Sequence, residues 1–171
     1  MKRLLLLRHA KSSWDHAALD DFERPLAPRG VRAAGAMARF LAKHRLQPDL
    51  VLCSAARRTV ETWNRLAGAL KHKATVLIER DLYLAEADSL LDRLRAVPAE
   101  AATVLLIGHN PGMEDLARTL CGSGDAAALK RLKAKFPTAA LAVIEFDAAR
   151  WSDLAKRKGR LERFVAPKDL G

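Results

Sequence analysis

The chain's 171 residues amount to one domain, and with half of them apolar and 29% charged they exclude a disordered chain and leave room for a full core. Its two cysteines, Cys53 and Cys121, exclude a disulfide framework, and neither has a neighbouring ligand at zinc spacing, so no metal is expected. Thirty basic residues against twenty acidic ones give a net charge of +10, which bears on partners and on field rather than on fold.

Leu4–Leu7 is a continuous apolar run, the mark of a strand buried on both faces. It is too short for a signal-peptide core, which needs roughly 7–15 apolar residues, and no run approaches the ~18 that span a bilayer. A cytoplasmic protein with reduced thiols and no membrane partner is expected. Pro28 opens a helix that runs to about Arg45, with Val31, Ala34, Ala38 and Leu41 at helical spacing. A second strand is predicted over Leu50–Cys53 and a second helix from Arg58 to Leu70. Val76–Ile78 reads as a third strand and Ser89–Val97 as a third helix. Val104–Ile107 follows as a fourth strand, ending in Gly108-His109-Asn110-Pro111-Gly112, with a helix from about Met113 to Leu120. Ala126–Lys135 reads as a short basic helix, Leu141–Phe146 as a fifth strand and Leu161–Val165 as a sixth. The alternation predicts a single α/β domain over residues 1–171, a three-layer α/β/α sandwich with a mostly parallel sheet.

In such sheets ligands bind beyond the carboxyl ends of the strands. The first strand ends at Arg8-His9, the second at Ser54 with Arg57-Arg58 after it, and the fourth at His109. Arginine forks match phosphate oxygens, and a neutral imidazole can attack phosphorus. Two histidines and two arginines converging at one edge point to phosphoryl transfer to histidine without a metal. No GxxxxGK[ST] loop is present, so a nucleoside triphosphate is not the expected substrate.

Four stretches carry a family resemblance. Leu7-Arg8-His9-Ala10-Lys11 resembles the Arg-His signature of the histidine phosphatase superfamily. Ser54 to Thr62 resembles its SxxxRxxxT block, Gly108-His109-Asn110 its third block, and Glu23 to Gly30 its (D/E)RPLxxxG element. The blocks come in the family's order, and the whole resembles a short phosphohistidine phosphatase of the SixA type with a phosphoglycerate mutase-like fold. Arg57 and His109 are 52 residues apart, without room for the large helical insertion of the mutases. That implies an open, shallow site suited to a phosphorylated protein side chain.

The resemblance implies roles. His9 is the nucleophile, its other ring nitrogen held by a backbone carbonyl. Arg8 and Arg57 clamp the phosphoryl oxygens, with Arg58, the rival for Arg57, facing solvent. His109 donates to the phosphoryl group. Arg24 is a further phosphate ligand or a structural ion pair. Ser54 serves the phosphate pocket or caps a helix, and Asn110 lies at a helix N-terminus, which favours anions. Glu61 supports the arginines or faces water. The general acid is left open among Glu86, Asp21, Glu23 and Asp20. Ala10 stands where the signature has Gly, and ordinary dihedrals there would tolerate it. Trp14 could wall the site, whereas Trp63 and Trp151 read as packing anchors and His16, His44 and His72 as surface residues.

The expected activity is removal of phosphate from a protein phosphohistidine through a phosphohistidine enzyme intermediate, with no cofactor. A small-molecule phosphomonoesterase and a phosphate- or polyanion-binding module without turnover are the alternatives. The basic clusters Lys130, Arg131, Lys133, Lys135 and Lys156, Arg157, Lys158, Arg160, Arg163 are either solvated faces or a surface for a polyanion or an acidic protein. With aromatics at 5% and no base-stacking motif, nucleic acid is not the expected partner.

Overall fold

The leucine run lies at the centre of a seven-stranded sheet. The computed structural model describes residues 1–170 and orders the strands β3-β2-β4-β1-β6-β7-β5. In chain order these are β1 (Lys2–Arg8), β2 (Leu50–Ser54), β3 (Thr75–Glu79), β4 (Thr103–Gly108), β5 (Cys121–Gly124), β6 (Leu141–Phe146) and β7 (Gly159–Val165). β1, β2, β3 and β4 pair in parallel, β6 runs antiparallel to both β1 and β7, and β5 pairs in parallel with β7. Only β6 therefore reverses the common direction.

The helices are α1 (Pro28–Lys43), α2 (Arg57–Ala67), α3 (Ala87–Arg95), α4 (Gly112–Leu120) and α5 (Ala126–Ala134). Alternate residues of the central strands feed two cores. Leu5, Leu7, Val51, Cys53, Leu105 and Ile107 pack with Met37 and Leu41 of α1 and Trp63 and Leu66 of α2. Leu4, Leu6, Leu52, Val104 and Leu106 pack with Leu90 and Leu94 of α3, Leu116 of α4, Leu132 of α5 and Trp151. Helices on both faces of the sheet are the three-layer sandwich expected from the sequence. Trp63 and Trp151 are both buried within it.

β5 is the strand that the sequence did not suggest. Cys-Gly-Ser-Gly has no β-branched or aromatic residue, and pairing with β7 makes it a strand. β7 itself begins two residues before the predicted Leu161. After β7 the chain forms a short 3-10 turn, Pro167–Leu170, while Gly171 lies outside the described residues.

Register levels the functional ends of three adjacent strands. Arg8 pairs with Gly108 and Cys53 with Ile107, so His9 and His109, just beyond β1 and β4, come together with Ser54 at the carboxyl end of β2. Between α2 and β4 the chain has only β3, a 3-10 turn over Arg80–Leu82, and α3. That span has no large helical insertion, and its Tyr83 and Leu84 border the sheet edge.

Candidate active site

His9 is buried, and its Nδ1 lies 2.7 Å from the carbonyl oxygen of Ala10. With that nitrogen donating to the carbonyl, the lone pair of a neutral ring is on Nε2. Burial lowers the His9 pKa to about 3; the Ala10 carbonyl works against this, while Arg58, Arg8 and Arg24 add to it. His9 is therefore neutral at physiological pH. The His109 ring lies 5.3 Å from that of His9, centroid to centroid, and its Nε2 is 2.7 Å from the Ser54 hydroxyl oxygen. Burial, then the neighbouring His9 and Arg58, lower the His109 pKa to about 3 as well.

Around these rings is a cleft of about 190 Å³ lined by Arg8, Lys11, Arg24 and Arg58, by His9, His109 and Asn110, and by Ser12, Trp14, Leu84 and Thr138. Among the described residues four cations line it and no carboxylate does. Its rim is open: Trp14 is 72% and Leu84 50% exposed. Trp14 walls the cleft by stacking on the Arg24 guanidinium, 3.3 Å from the ring centroid.

The structure reverses the two arginines of α2. Arg57 is exposed and donates from Nε to Glu61 at 2.8 Å, on the outer face of the helix. Arg58 is buried and lines the cleft. The reason is helical phase: Arg58, Thr59, Thr62 and Leu66 share the buried face, and Arg57 falls outside it. The SxxxRxxxT spacing carried this signal, since four residues after Ser54 and four before Thr62 is position 58.

Arg58 is held by Asp21. Its Nη1 donates to the Asp21 backbone carbonyl at 2.7 Å and its Nη2 to the carboxylate at 3.0 Å. Arg24 donates to the same carboxylate at 2.9 Å, and the Tyr83 hydroxyl donates to it too. Partial burial raises the Asp21 pKa, but the hydrogen bonds from Tyr83, Arg24 and Arg58 together prevail and bring it to about 2. Asp21 is thus held ionised between two arginines and Tyr83, and it does not line the cleft. Sequence reasoning missed this role, because nothing local links Asp21 to Arg58 or Tyr83. Arg24 is the ion pair that was one of its two expected roles, and it also lines the cleft, with further bonds to the Ser13 carbonyl and the Ser12 hydroxyl. Glu86, Glu23 and Asp20 are exposed and do not line the cleft; Glu86 precedes α3 as its N-cap residue.

The remaining motif residues brace the site. Thr62 accepts from the Ala10 amide at 3.0 Å and donates to the Arg58 carbonyl at 2.7 Å, tying α2 to the strand end that carries His9. Glu61 accepts from the Leu26 amide at 2.9 Å. Ser54 is fully buried behind His109 and is absent from the cleft lining, so it supports the ring rather than the phosphate pocket. Ala10 is buried with an ordinary negative φ, which the alanine methyl tolerates. Asn110 donates to the Phe136 carbonyl at 2.9 Å, and Arg8 donates to the same oxygen at 3.1 Å. Burial lowers the Arg8 pKa from its ordinary value. Arg8 Nε, His109 Nδ1 and Asn110 Oδ1 are buried without a hydrogen-bond partner, and three such orphans beside one cleft mark a place where a ligand can complete the network. Among the described residues no three His, Cys, Asp or Glu side chains are grouped to hold a metal ion, and no helix is long and apolar enough to cross a membrane.

The family model of the histidine phosphatase superfamily, branch 1, matches residues 4–88. A structure from Agrobacterium tumefaciens, assigned as the phosphohistidine phosphatase SixA, superposes with a TM-score of 0.82 at 32% identity, covering 97% of this chain and 98% of that one. A structure with the same assignment from Nakamurella multipartitia gives 0.85 at 32% identity, over 97% and 96%. An uncharacterized protein of Mycobacterium leprae is 37% identical, covering 95% of this chain and 100% of that protein. With the His9 cleft at the edge of this sheet, the chain belongs to the histidine phosphatase superfamily and is a phosphatase. Within the superfamily it is of the SixA type.

Proposed function

We propose that the protein removes phosphate from phosphohistidine on another protein, through a phosphohistidine at its own His9 and without a metal ion. Nε2 of His9 attacks phosphorus. The new N–P bond forms as the P–N bond to the substrate imidazole breaks, and the departing nitrogen leaves with a proton. Water then attacks the phosphorus on His9, releasing inorganic phosphate and the neutral imidazole. Arg8, Arg24 and Arg58 neutralise the phosphoryl oxygens through both steps, and His109, with Nδ1 unpaired, donates to the same group.

The observation that carries the substrate class is the lack of any carboxylate lining the cleft among the described residues. An alkoxide leaving a phosphomonoester needs a proton donor placed beside it, whereas an imidazole is basic enough near neutral pH to carry its own proton. The open rim supports a side chain presented by a protein in preference to an enclosed metabolite. Two buried, unpaired cysteines agree with a cytoplasmic setting, which is part of the same proposal.

Brief incubation with a phosphohistidine peptide, followed by an alkaline quench, tests the intermediate. Acid-labile, alkali-stable phosphate is expected on the wild-type chain at His9, and none on His9→Ala. Equal labelling of both chains would remove His9 as the nucleophile.

A further inference from the structure

Beside the His9 cleft, and sharing Arg8, Lys11 and Thr138 with it, lies a larger cavity of about 580 Å³. Its size is in the range of built ligand sites. Three separate elements bring cations to it: Arg29 from the first turn of α1, Lys135 just after α5, and Lys168 from the terminal 3-10 turn. Among the described residues none of these three has an ion-pair partner, and no carboxylate lines the cavity. Arg131, also at the wall, is already paired with Asp169 and bonded to the Phe164 carbonyl. The lining between the cations is apolar, with Ala33, Pro137 and Phe164.

We propose that this trough docks an acidic peptide segment flanking the phosphohistidine of the protein substrate. Asp and Glu side chains meet Arg29, Lys135 and Lys168, and an aliphatic side chain between them rests on the apolar lining. The inference rests on the proposed function and names the partner's chemistry. The apolar lining argues for a peptide over a chain of phosphates, which has nothing apolar to bury. The one aromatic ring in the wall, Phe164, is buried, packed edge-on against Phe136 at 5.3 Å, and so presents no face for a nucleic-acid base. Continuity through Arg8 places the segment next to the phosphoryl group.

The test uses two phosphohistidine peptides of one length, one flanked by Asp and Glu and the other by Asn and Gln, with phosphoramidate as a substrate that has no flank. The variant is Arg29→Gln/Lys135→Gln/Lys168→Gln, which leaves the His9 cleft intact. In low salt the wild type should favour the acidic peptide by about tenfold in kcat/KM, as three partly exposed ion pairs allow. The preference should fall towards unity in the variant and at about 0.5 M salt, while phosphoramidate turnover stays unchanged. Anisotropy with the unphosphorylated acidic peptide should give about tenfold tighter binding to wild type than to the variant. Equal handling of both peptides alongside normal phosphoramidate turnover would overturn the trough and leave the phosphatase reading intact. Binding of the acidic peptide without hydrolysis of any phosphoramidate would overturn that reading and leave the trough. Tighter binding of an oligothymidylate of equal charge would replace the peptide with nucleic acid.

Discussion

Arg57 and Arg58 differ by one position and by about 100° around the helix, which is enough to send one to solvent and the other to the cleft. Arg58→Ala should lower kcat/KM by about 10²-fold or more, the usual effect of removing one donor to a developing anion. Arg57→Ala removes only an exposed pair with Glu61 and should leave kcat/KM within about threefold. Steady-state kinetics on both variants check the assignment. The same site predicts two silent histidines. An ordinary imidazole titrates near pH 6.5, but His9 and His109 are held near 3 by burial and by surrounding cations. Imidazole NMR of the unliganded protein should therefore show no midpoint for either ring between pH 5 and 8. The linkage sign follows: below pH 6.5 the unfolded chain binds protons that the folded chain does not, so these two residues cost stability progressively as pH falls towards 3. At this scale the sequence was legible for His9, Arg8, His109 and Arg24, which the structure brings to one cleft, but it had Arg57 and Arg58 the wrong way round. It was not legible for Asp21, whose role depends on partners at positions 24, 58 and 83 that only the fold assembles.

The elements position the site through contacts that the motifs encode without naming. Gly30 lies in the first turn of α1 against the Lys11 peptide, and a Cβ there would sit 2.0 Å from the Lys11 carbonyl oxygen. Gly30→Ala must push α1 away from the loop that follows His9. It should cost about 1–3 kcal/mol in denaturant unfolding and lower activity together with stability. Gly35→Ala is the control: it meets only the tip of the Arg39 side chain, at 3.6 Å, and should be neutral or slightly stabilising. The buried strands β1, β2 and β4 were legible because they are apolar on both faces. β5 was not, because Gly122 and Gly124 allow close backbone approach to Arg157 and Leu161 and leave no side-chain pattern to read.

Across the whole molecule, topology and charge act together. The order β2-β4-β1 gathers three distant motifs at one sheet edge, and the short span between α2 and β4 borders that edge with Tyr83 and Leu84 and has no large insertion. Eight of the thirty basic residues line the cleft and the trough beside it, where among the described residues no carboxylate lines either. The basic character was plain in the composition, but its division between the cleft, the trough and outlying surface was not, since Arg29, Lys135 and Lys168 come from distant parts of the chain. Hydrolysis of phosphohistidine in this cation-lined cleft by way of His9 is read from phosphate release from a histidine-phosphorylated carrier protein, in EDTA, alongside a phosphoserine peptide of similar charge. Release from the histidine substrate should survive EDTA and be lost in His9→Ala, and release from phosphoserine should be at least about 10²-fold slower. Comparable rates on both substrates, or release that His9→Ala retains, would contradict it.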